Sequence, residues 1–178
     1  MVLVLATIPG VLVGYFLEEK AETIFRSPLL VAFTLGFVGL VLYLVDRFSK
    51  HKKEIRGITW KDSLLIGVSQ ALAIIPGVSR SGATITTALA LGLSRVSAAR
   101  FSFLLSTPII FGATVLKLPE LLKGGFTSEM IVGIFVSAVS GFLAIKYLIK
   151  LVEKTGYQLF FWYRLLLALV IVIIYFVK

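Results

Sequence analysis

The chain has 178 residues, of which 58% are hydrophobic, and its mean hydropathy of +1.02 predicts an integral membrane protein. It contains no cysteine and one histidine, which excludes a disulfide framework, a thiolate nucleophile and a metal site built from cysteine or histidine clusters. The net charge of +9 would suggest nucleic acid in a soluble protein, but basic residues collect in the cytoplasmic loops of membrane proteins, so we expect no nucleic-acid partner.

The first predicted element is a short apolar helix over residues 3–17, interrupted at Pro9-Gly10. It has no basic leader and no small-residue cleavage site, so its pattern is not that of a signal peptide. The pattern is that of a membrane helix entered part-way, and we expect an upstream segment to be lacking. A polar loop of mixed charge is predicted to follow, containing Glu18, Glu19, Lys20, Glu22 and Arg26.

The next predicted element is a transmembrane helix. Residues 28–45 carry no charge and are long enough to cross the roughly 30 Å of hydrocarbon in a bilayer. Residues 47–61 form the most basic stretch of the chain, which by the positive-inside rule predicts a cytoplasmic loop. His51 lies in this loop, where we expect it to be solvated.

The middle of the chain predicts a re-entrant hairpin over residues 62–93. Its arms, 62–75 and 83–93, are each too short to span the membrane comfortably. Between them lies the sequence PGVSRSG at residues 76–82, in which proline and two glycines are expected to stop the helix on each side. A charge at membrane depth is rarely present without a purpose, so Arg80 within this break predicts a functional site.

The remaining elements complete the predicted fold. Ser94 is expected to cap a helix, spans are predicted over residues 98–117, 128–149 and 157–177, and a loop is predicted from Glu120 to Gly125. A hairpin that returns to the cytoplasmic side leaves the basic end near Lys150 inside, which favours re-entry over a single crossing. The predicted fold class is an all-α polytopic membrane protein with about four transmembrane helices plus the hairpin, in a single membrane domain of residues 1–178.

The polar break carries groups that bind phosphate. Arg80 offers a planar fork of donors, and the hydroxyls of Ser79 and Ser81 can donate to the same oxygens, or one of them can attack phosphorus. Gly82 lets the backbone approach a ligand, and the helix beginning there directs its first N–H groups at the same anion. Thr84 is expected to point back to this site. The alternative is that Arg80 pairs with a carboxylate or with backbone carbonyls and holds the hairpin together.

Two further polar residues lie within predicted helices. Gln70 lies two to three turns before Arg80, where it either faces a cavity or makes a helix–helix hydrogen bond. Arg164 lies roughly 10 Å into the last span, and the pattern favours snorkelling to the interface over a catalytic role.

Residues 67–84, GVSQALAIIPGVSRSGAT, resemble the second signature of the undecaprenyl pyrophosphate phosphatase (bacitracin-resistance) family. Flanking segments are similar to that family at residues 6–9, 27–29, 59–62, 101–106 and 163–164. The resemblance covers essentially the whole chain. It implies a bacterial plasma-membrane enzyme that removes the terminal phosphate from undecaprenyl diphosphate and so recycles the lipid carrier used in peptidoglycan synthesis.

The resemblance also implies a site that opens to the outer face, an inverted repeat of two hairpins, and a divalent cation, Mg²⁺ or Ca²⁺, as cofactor. Carried over by position, the catalytic residues are Arg80, Ser79 and Ser81. The phosphate-binding residues are Arg80, Ser81, Gly82, Thr84 and Gln70. The partners implied are a polyprenyl diphosphate lipid and the bilayer, and a homodimer is left open.

The family's first signature, a Glu-rich helix followed by a Ser-Ser-Thr-Gly-His loop, has no match in this sequence. It would supply the metal-binding carboxylates and a histidine, so no metal ligand is identified in this chain. We therefore expect the chain to be the C-terminal two thirds of such an enzyme, with little activity by itself. Two alternatives stay open: a transporter or flippase for an anionic lipid or solute on a similar fold, and an inactive fragment.

Overall fold

The computed structural model describes residues 2–24, 27–124 and 127–177, and within these ranges the chain is almost entirely helical. The α-helices are α1 (Val2–Ile24), α2 (Pro28–Phe48), α3 (Trp60–Ala71), α4 (Arg80–Ala90), α5 (Arg95–Gly124), α6 (Ser128–Thr155) and α7 (Gln158–Val177), with 3₁₀ turns at Ile55–Gly57 and Leu72–Ile74. Four helices, α2, α5, α6 and α7, are long and apolar enough to cross a membrane. The prediction of an all-α polytopic membrane protein with four transmembrane helices is confirmed.

Two predicted loops are helical instead. The stretch containing Glu18, Glu19, Lys20 and Glu22 continues α1, and residues 120–124 continue α5, while Arg26 and Gly125 lie outside the described residues. The loop predictions were wrong because glutamate, lysine, leucine and alanine favour helix, whether or not the segment is charged. The expected interruption at Pro9-Gly10 does not end α1 either, since proline is tolerated in membrane helices.

Helices α3 and α4 form the hairpin. They have 12 and 11 residues, so each is about 18 Å long or less and falls short of the roughly 30 Å hydrocarbon layer. Two backbone hydrogen bonds tie its ends together: Lys53 N–H donates to the Gly92 carbonyl at 2.9 Å, and Ser94 N–H donates to the Lys53 carbonyl at 2.9 Å. The chain therefore enters and leaves the hairpin on the same side.

A capping box starts the hairpin. Thr59 Oγ1 accepts a hydrogen bond from Asp62 N–H at 3.2 Å, and the Asp62 carboxylate accepts one from Thr59 N–H at 2.7 Å. Lys53 Nζ donates to the same carboxylate at 2.5 Å. Burial alone would raise the pKa of Asp62, but the hydrogen bonds from Lys53 and Thr59 outweigh it and hold the pKa below its ordinary value. The ionised carboxylate thus joins the basic loop to α3.

A buried network on the same side joins three transmembrane helices. The Asp46 carboxylate accepts hydrogen bonds from Arg95 Nε at 2.7 Å and from Tyr157 N–H at 3.0 Å, which connects the end of α2 to the start of α5 and to the α6–α7 turn. His51 was expected to be solvated, and that prediction was wrong. The loop folds back so that His51 Nε2 lies 2.6 Å from the Asp46 carbonyl oxygen and Nδ1 lies 3.4 Å from that of Leu93.

The core lies between the hairpin and its neighbours. Leu89, Phe101 and Leu105 are almost fully buried where α4 meets the first half of α5. Gly67 lets α3 approach α1 closely, because a Cβ there would lie 2.4 Å from the Ala6 carbonyl oxygen. Helix α6 is exposed along its apolar length, as expected of a helix that faces lipid.

Candidate anion-binding site

The polar break between α3 and α4 is a strained loop that ends in a helix cap. Gly77 has a φ of 89° and Ser79 a φ of 67°. The left-handed region costs a non-glycine residue on the order of 1–2 kcal/mol, so the surroundings must hold Ser79 there. Ser79 Oγ accepts a hydrogen bond from Gly82 N–H at 3.2 Å, and α4 begins at Arg80. The predicted helix stop at Gly82 is wrong, because this serine cap starts the helix two residues earlier.

Helix α2 packs directly against this loop. Thr34 Oγ1 donates a hydrogen bond to the Pro76 carbonyl oxygen at 2.7 Å. A Cβ on Gly77 would lie 2.1 Å from Thr34 Oγ1 and 2.7 Å from the Val31 carbonyl oxygen. Glycine is therefore required at position 77 for two reasons, its positive φ and the closeness of α2.

Arg164 joins the loop to α2 and α7. Its side chain is 7% exposed, Nε donates to the Leu35 carbonyl oxygen at 3.1 Å, and Nη2 donates to those of Gly77 at 2.7 Å and Val78 at 3.1 Å. The expectation that Arg164 snorkels to the interface is wrong, because three carbonyls of α2 and the loop draw the guanidinium inward. The alternative considered for Arg80, an arginine that holds the hairpin through backbone carbonyls, describes Arg164 instead.

Arg80 is exposed, and its side chain makes no hydrogen bond or ion pair with the residues that the structure describes. It lines a cavity of ≈ 470 Å³ formed with α1, the end of α3 and the middle of α5. The other lining residues are Gly10, Gly14, Gln70, Ala71, Ala73, Ile74, Ile109 and Ala113. A guanidinium that forms no ion pair with a described carboxylate is available to bind an anion.

Gln70 lies in the wall of this cavity. It is 5% exposed, and its Nε2 is a buried donor for which the described residues provide no acceptor. The amide packs closely on α1, since a Cβ on Gly10 would lie 2.5 Å from Nε2. Gln70 lines the cavity, and its Nε2 forms no helix–helix hydrogen bond with the described residues, so its assignment as a phosphate ligand stays a prediction. An unsatisfied buried donor costs about 1–3 kcal/mol.

Ser79 and Ser81 face another space. Their hydroxyl oxygens lie 3.3 Å apart, and both side chains line a small cavity of ≈ 80 Å³ together with Gly82 and Arg164. The predicted phosphate-binding loop thus presents donors on two sides. Arg80 and Gln70 face the larger cavity, and the two serines face Arg164.

Thr84 does not point back toward the loop as expected. It is 1% exposed, and its Oγ1 lies 3.0 Å from the Arg80 carbonyl oxygen and 2.7 Å from Ser102 Oγ. The first turn of α4 turns Thr84 toward α5, so its hydroxyl joins the two helices. Its assignment as a phosphate ligand stays a prediction, and the contacts shown give it a structural role.

The acidic side chains that the structure describes near the hairpin are already engaged. Asp46 pairs with Arg95, Glu54 accepts a hydrogen bond from Ser97 Oγ at 2.7 Å, and Asp62 pairs with Lys53. Among the side chains that the structure describes, no three histidine or acidic groups lie close enough together to hold a metal ion. The described residues therefore do not fit a divalent cation.

The role that the sequence analysis missed is that of Arg164. A signal for it existed, because a charge seven residues into an apolar helix lies too deep to be explained by a helix end alone. Its partners could not be inferred, since they lie 86 to 129 positions away in the chain.

Comparison with known proteins places this geometry in context. The family model described as "Bacitracin resistance protein BacA" matches residues 1–170. A relative named undecaprenyl-diphosphatase from Pelotomaculum thermopropionicum is 52% identical over 172 residues, which is 97% of this chain and 65% of the relative. Relatives of the same name from Desulforudis audaxviator and Moorella thermoacetica are 52% and 48% identical, over 97% and 99% of this chain and 66% and 67% of their own lengths. The chain spans about two thirds of the length of these relatives.

Proposed function

The chain belongs to the BacA family of bacitracin resistance proteins, and from this premise we propose that it acts in the hydrolysis of undecaprenyl diphosphate to undecaprenyl phosphate. In this reaction an oxygen nucleophile forms a bond to the terminal phosphorus and the bridging P–O bond breaks. The products are undecaprenyl phosphate and, once water has supplied the last oxygen, inorganic phosphate. The relatives are named for this activity.

The observation that supports the proposal best is the cavity shared by Arg80 and Gln70. It brings an arginine with no described acidic partner and a buried amide donor with no described acceptor into one space between apolar helices. Arg80 can grip two phosphate oxygens at once, and it stabilises the charge on the transferring phosphoryl group. Most of the other residues that line the cavity are apolar, which lowers the local dielectric on that side of a bound phosphate.

Ser79 and Ser81 supply the hydroxyl groups of the proposed site. Ser79 and Ser81 can each donate a hydrogen bond to a phosphoryl oxygen, or one of them can attack the terminal phosphorus in place of water. The resemblance also implies Mg²⁺ or Ca²⁺, but the described residues offer no fitting set of ligands, so no step is assigned to the cation.

We also propose an orientation in the bacterial plasma membrane. The Asp46–Arg95 pair lies at the end of α2 that carries the basic segment 47–61, which would face the cytoplasm. The serine loop contacts Thr34, which lies 12 residues from Asp46 and hence about 18 Å nearer the other end of α2. This separation supports a site that opens toward the outer face. A homodimer stays a prediction.

The test measures release of inorganic phosphate from undecaprenyl diphosphate in proteoliposomes. Because the chain spans about two thirds of its relatives, it is assayed both as given and extended by the part of the Pelotomaculum relative that the match does not cover. Phosphate release by the extended chain, with its loss in Arg80→Gln, supports the proposal. Movement of the lipid between leaflets without phosphate release would overturn it in favour of the transporter alternative.

A further inference from the structure

Arg164 carries a charge that its observed contacts only partly compensate. Its side chain is 7% exposed, and no carboxylate of the described residues forms an ion pair with it. Nε and Nη2 donate to three backbone carbonyls, which bear only partial charges. A buried cation that is hydrogen-bonded but not neutralised favours the arrival of an anion.

The remaining nitrogen, Nη1, lies beside Gly82, and both Gly82 and Arg164 line the small cavity. Nη1 makes no hydrogen bond within the described part of the chain, and a Cβ on Gly82 would lie 2.9 Å from it. Gly82 therefore leaves room for Nη1 directly beneath the first turn of α4. The cavity of ≈ 80 Å³ is lined by Arg164, Ser79 and Ser81, with apolar side chains of α2, α5, α6 and α7 around them.

We infer that Arg164 is a second anion-binding arginine of this site, whose Nη1 binds a phosphoryl oxygen held between the hydroxyls of Ser79 and Ser81. The identity of this ligand as the phosphate of a polyprenyl diphosphate, or the inorganic phosphate released from it, rests on the proposed function.

The geometry favours direct binding over a purely structural role. Nη2 already holds the loop through Gly77 and Val78, and Nε holds α2 through Leu35, so Nη1 is not needed for either contact. The N–H groups of Arg80 and Ser81 begin α4 and have no acceptor in the chain as described, which adds donors and the positive end of the helix dipole above the cavity. The loop would then be held between two guanidinium groups, Arg80 on its open side and Arg164 beneath.

The experiment measures binding of two probes, farnesyl diphosphate and inorganic phosphate, to the purified chain in detergent micelles by titration calorimetry. We expect Arg164→Gln to weaken binding of farnesyl diphosphate by about ten- to a hundredfold, as for the loss of a hydrogen bond between charged groups. Arg164→Lys should recover little, because lysine cannot hold the carbonyls and the ligand together. Arg100→Gln, a change at an exposed arginine, serves as the control.

A second variant separates binding from folding. Gly82→Ala places a methyl group 2.9 Å from Nη1 and 3.3 Å from Ser79 Cβ and leaves the acceptors of Nε and Nη2 in place, so it should also weaken binding at least several-fold. Gly133→Ala is the matched control, because a Cβ there meets nothing within 4 Å. The inference would be overturned if Gly82→Ala kept wild-type affinity while Arg164→Gln either kept wild-type affinity or failed to fold. It would also be overturned if the wild-type chain bound neither probe.

Parallel assays keep this inference separate from the proposed function. Hydrolysis of undecaprenyl diphosphate with unchanged probe binding in both variants would overturn the role of Arg164 and leave the hydrolase proposal standing. Binding of inorganic phosphate that depends on Arg164, without hydrolysis by the extended chain, would support the role of Arg164 and overturn the hydrolase proposal.

Discussion

Arg95 grips the carboxylate of Asp46 with two hydrogen bonds, from Nε to Oδ1 at 2.7 Å and from Nη2 to Oδ2 at 3.1 Å, across 49 positions of the chain. The pair lies where α2 ends and α5 begins. Because both helices meet the α6–α7 turn at the same carboxylate, this contact organises the basic side of the molecule.

Asp46→Asn should destabilise the fold. Removing one partner of a buried ion pair costs about 3–5 kcal/mol, and we expect the lower end because the Arg95 side chain is 35% exposed. The measurement is the free energy of unfolding in detergent, with exposed Glu153→Gln as the control. Equal stability of the two variants would contradict the role given to the pair.

Gly77→Ala should destabilise the fold far more than Gly92→Ala. Both glycines have positive φ, 89° and 85°, so both variants pay a similar cost in backbone strain of about 1 kcal/mol. Only at Gly77 does the new methyl group overlap α2, which adds about 1–3 kcal/mol for overpacking. The two thermal midpoints, measured side by side, isolate the contact between α2 and the loop. Midpoints that fall together would show that α2 does not press on the loop.

Arg80→Lys and Arg80→Ala should both reduce turnover of undecaprenyl diphosphate by the extended chain by about a hundredfold or more, as found when a preorganised donor to a developing charge is lost. Lysine keeps the charge but not the two-pronged geometry. Thermal stability should hardly change, because the Arg80 side chain makes no hydrogen bond or ion pair with the described residues. Turnover at the wild-type level in Arg80→Ala would defeat this assignment.

Gln70→Met should separate stability from binding. Methionine fills a similar volume without a donor, so the fold should keep its stability or gain about 1 kcal/mol, because the unsatisfied Nε2 is removed. Affinity for farnesyl diphosphate should fall several-fold if the amide donates to the ligand. Gln158→Met, at an exposed position, is the matched control. A loss of stability with full affinity would mean that Gln70 serves packing alone.

Acid should loosen the base of the hairpin. The pKa of Asp62 is lowered in the folded chain, so its contribution to stability is fully present above its ordinary value of 3.8 and is lost as pH falls through the lower folded value. Asp62→Asn should remove this part of the pH dependence while leaving the remainder. The check is thermal stability in detergent for both chains on each side of pH 3.8; parallel curves would exclude the carboxylate as its source.

The fold was predictable because its signals are local. Runs of apolar residues mark the spans, and the polar break at residues 76–82 marks the turn of the hairpin. The loop predictions at Glu18–Glu22 and Glu120–Gly124 were wrong because charged residues were expected to end the helix. The intrinsic helix propensity of these residues continues it instead.

The site was only half predictable for a different reason. Arg80 and Gln70 share a cavity because they flank one turn, which sequence separation indicates. The pairing of Arg164 with Gly77 and of Thr84 with Ser102 depends on how separate helices pack. The positive φ of Ser79 likewise follows from contacts on both sides of the loop, and a serine gives no sign of it in sequence.

The bridge between Lys53 and Leu93 has a topological consequence. Because the two ends of the hairpin are held together, it adds no net crossing of the membrane. The direction in which the later helices cross therefore does not depend on it. Residues inserted or lost at its tip would leave α5, α6 and α7 facing as before. The orientation of the later helices is thus independent of the length of the hairpin, whereas the residues at its tip stay constrained by their own contacts.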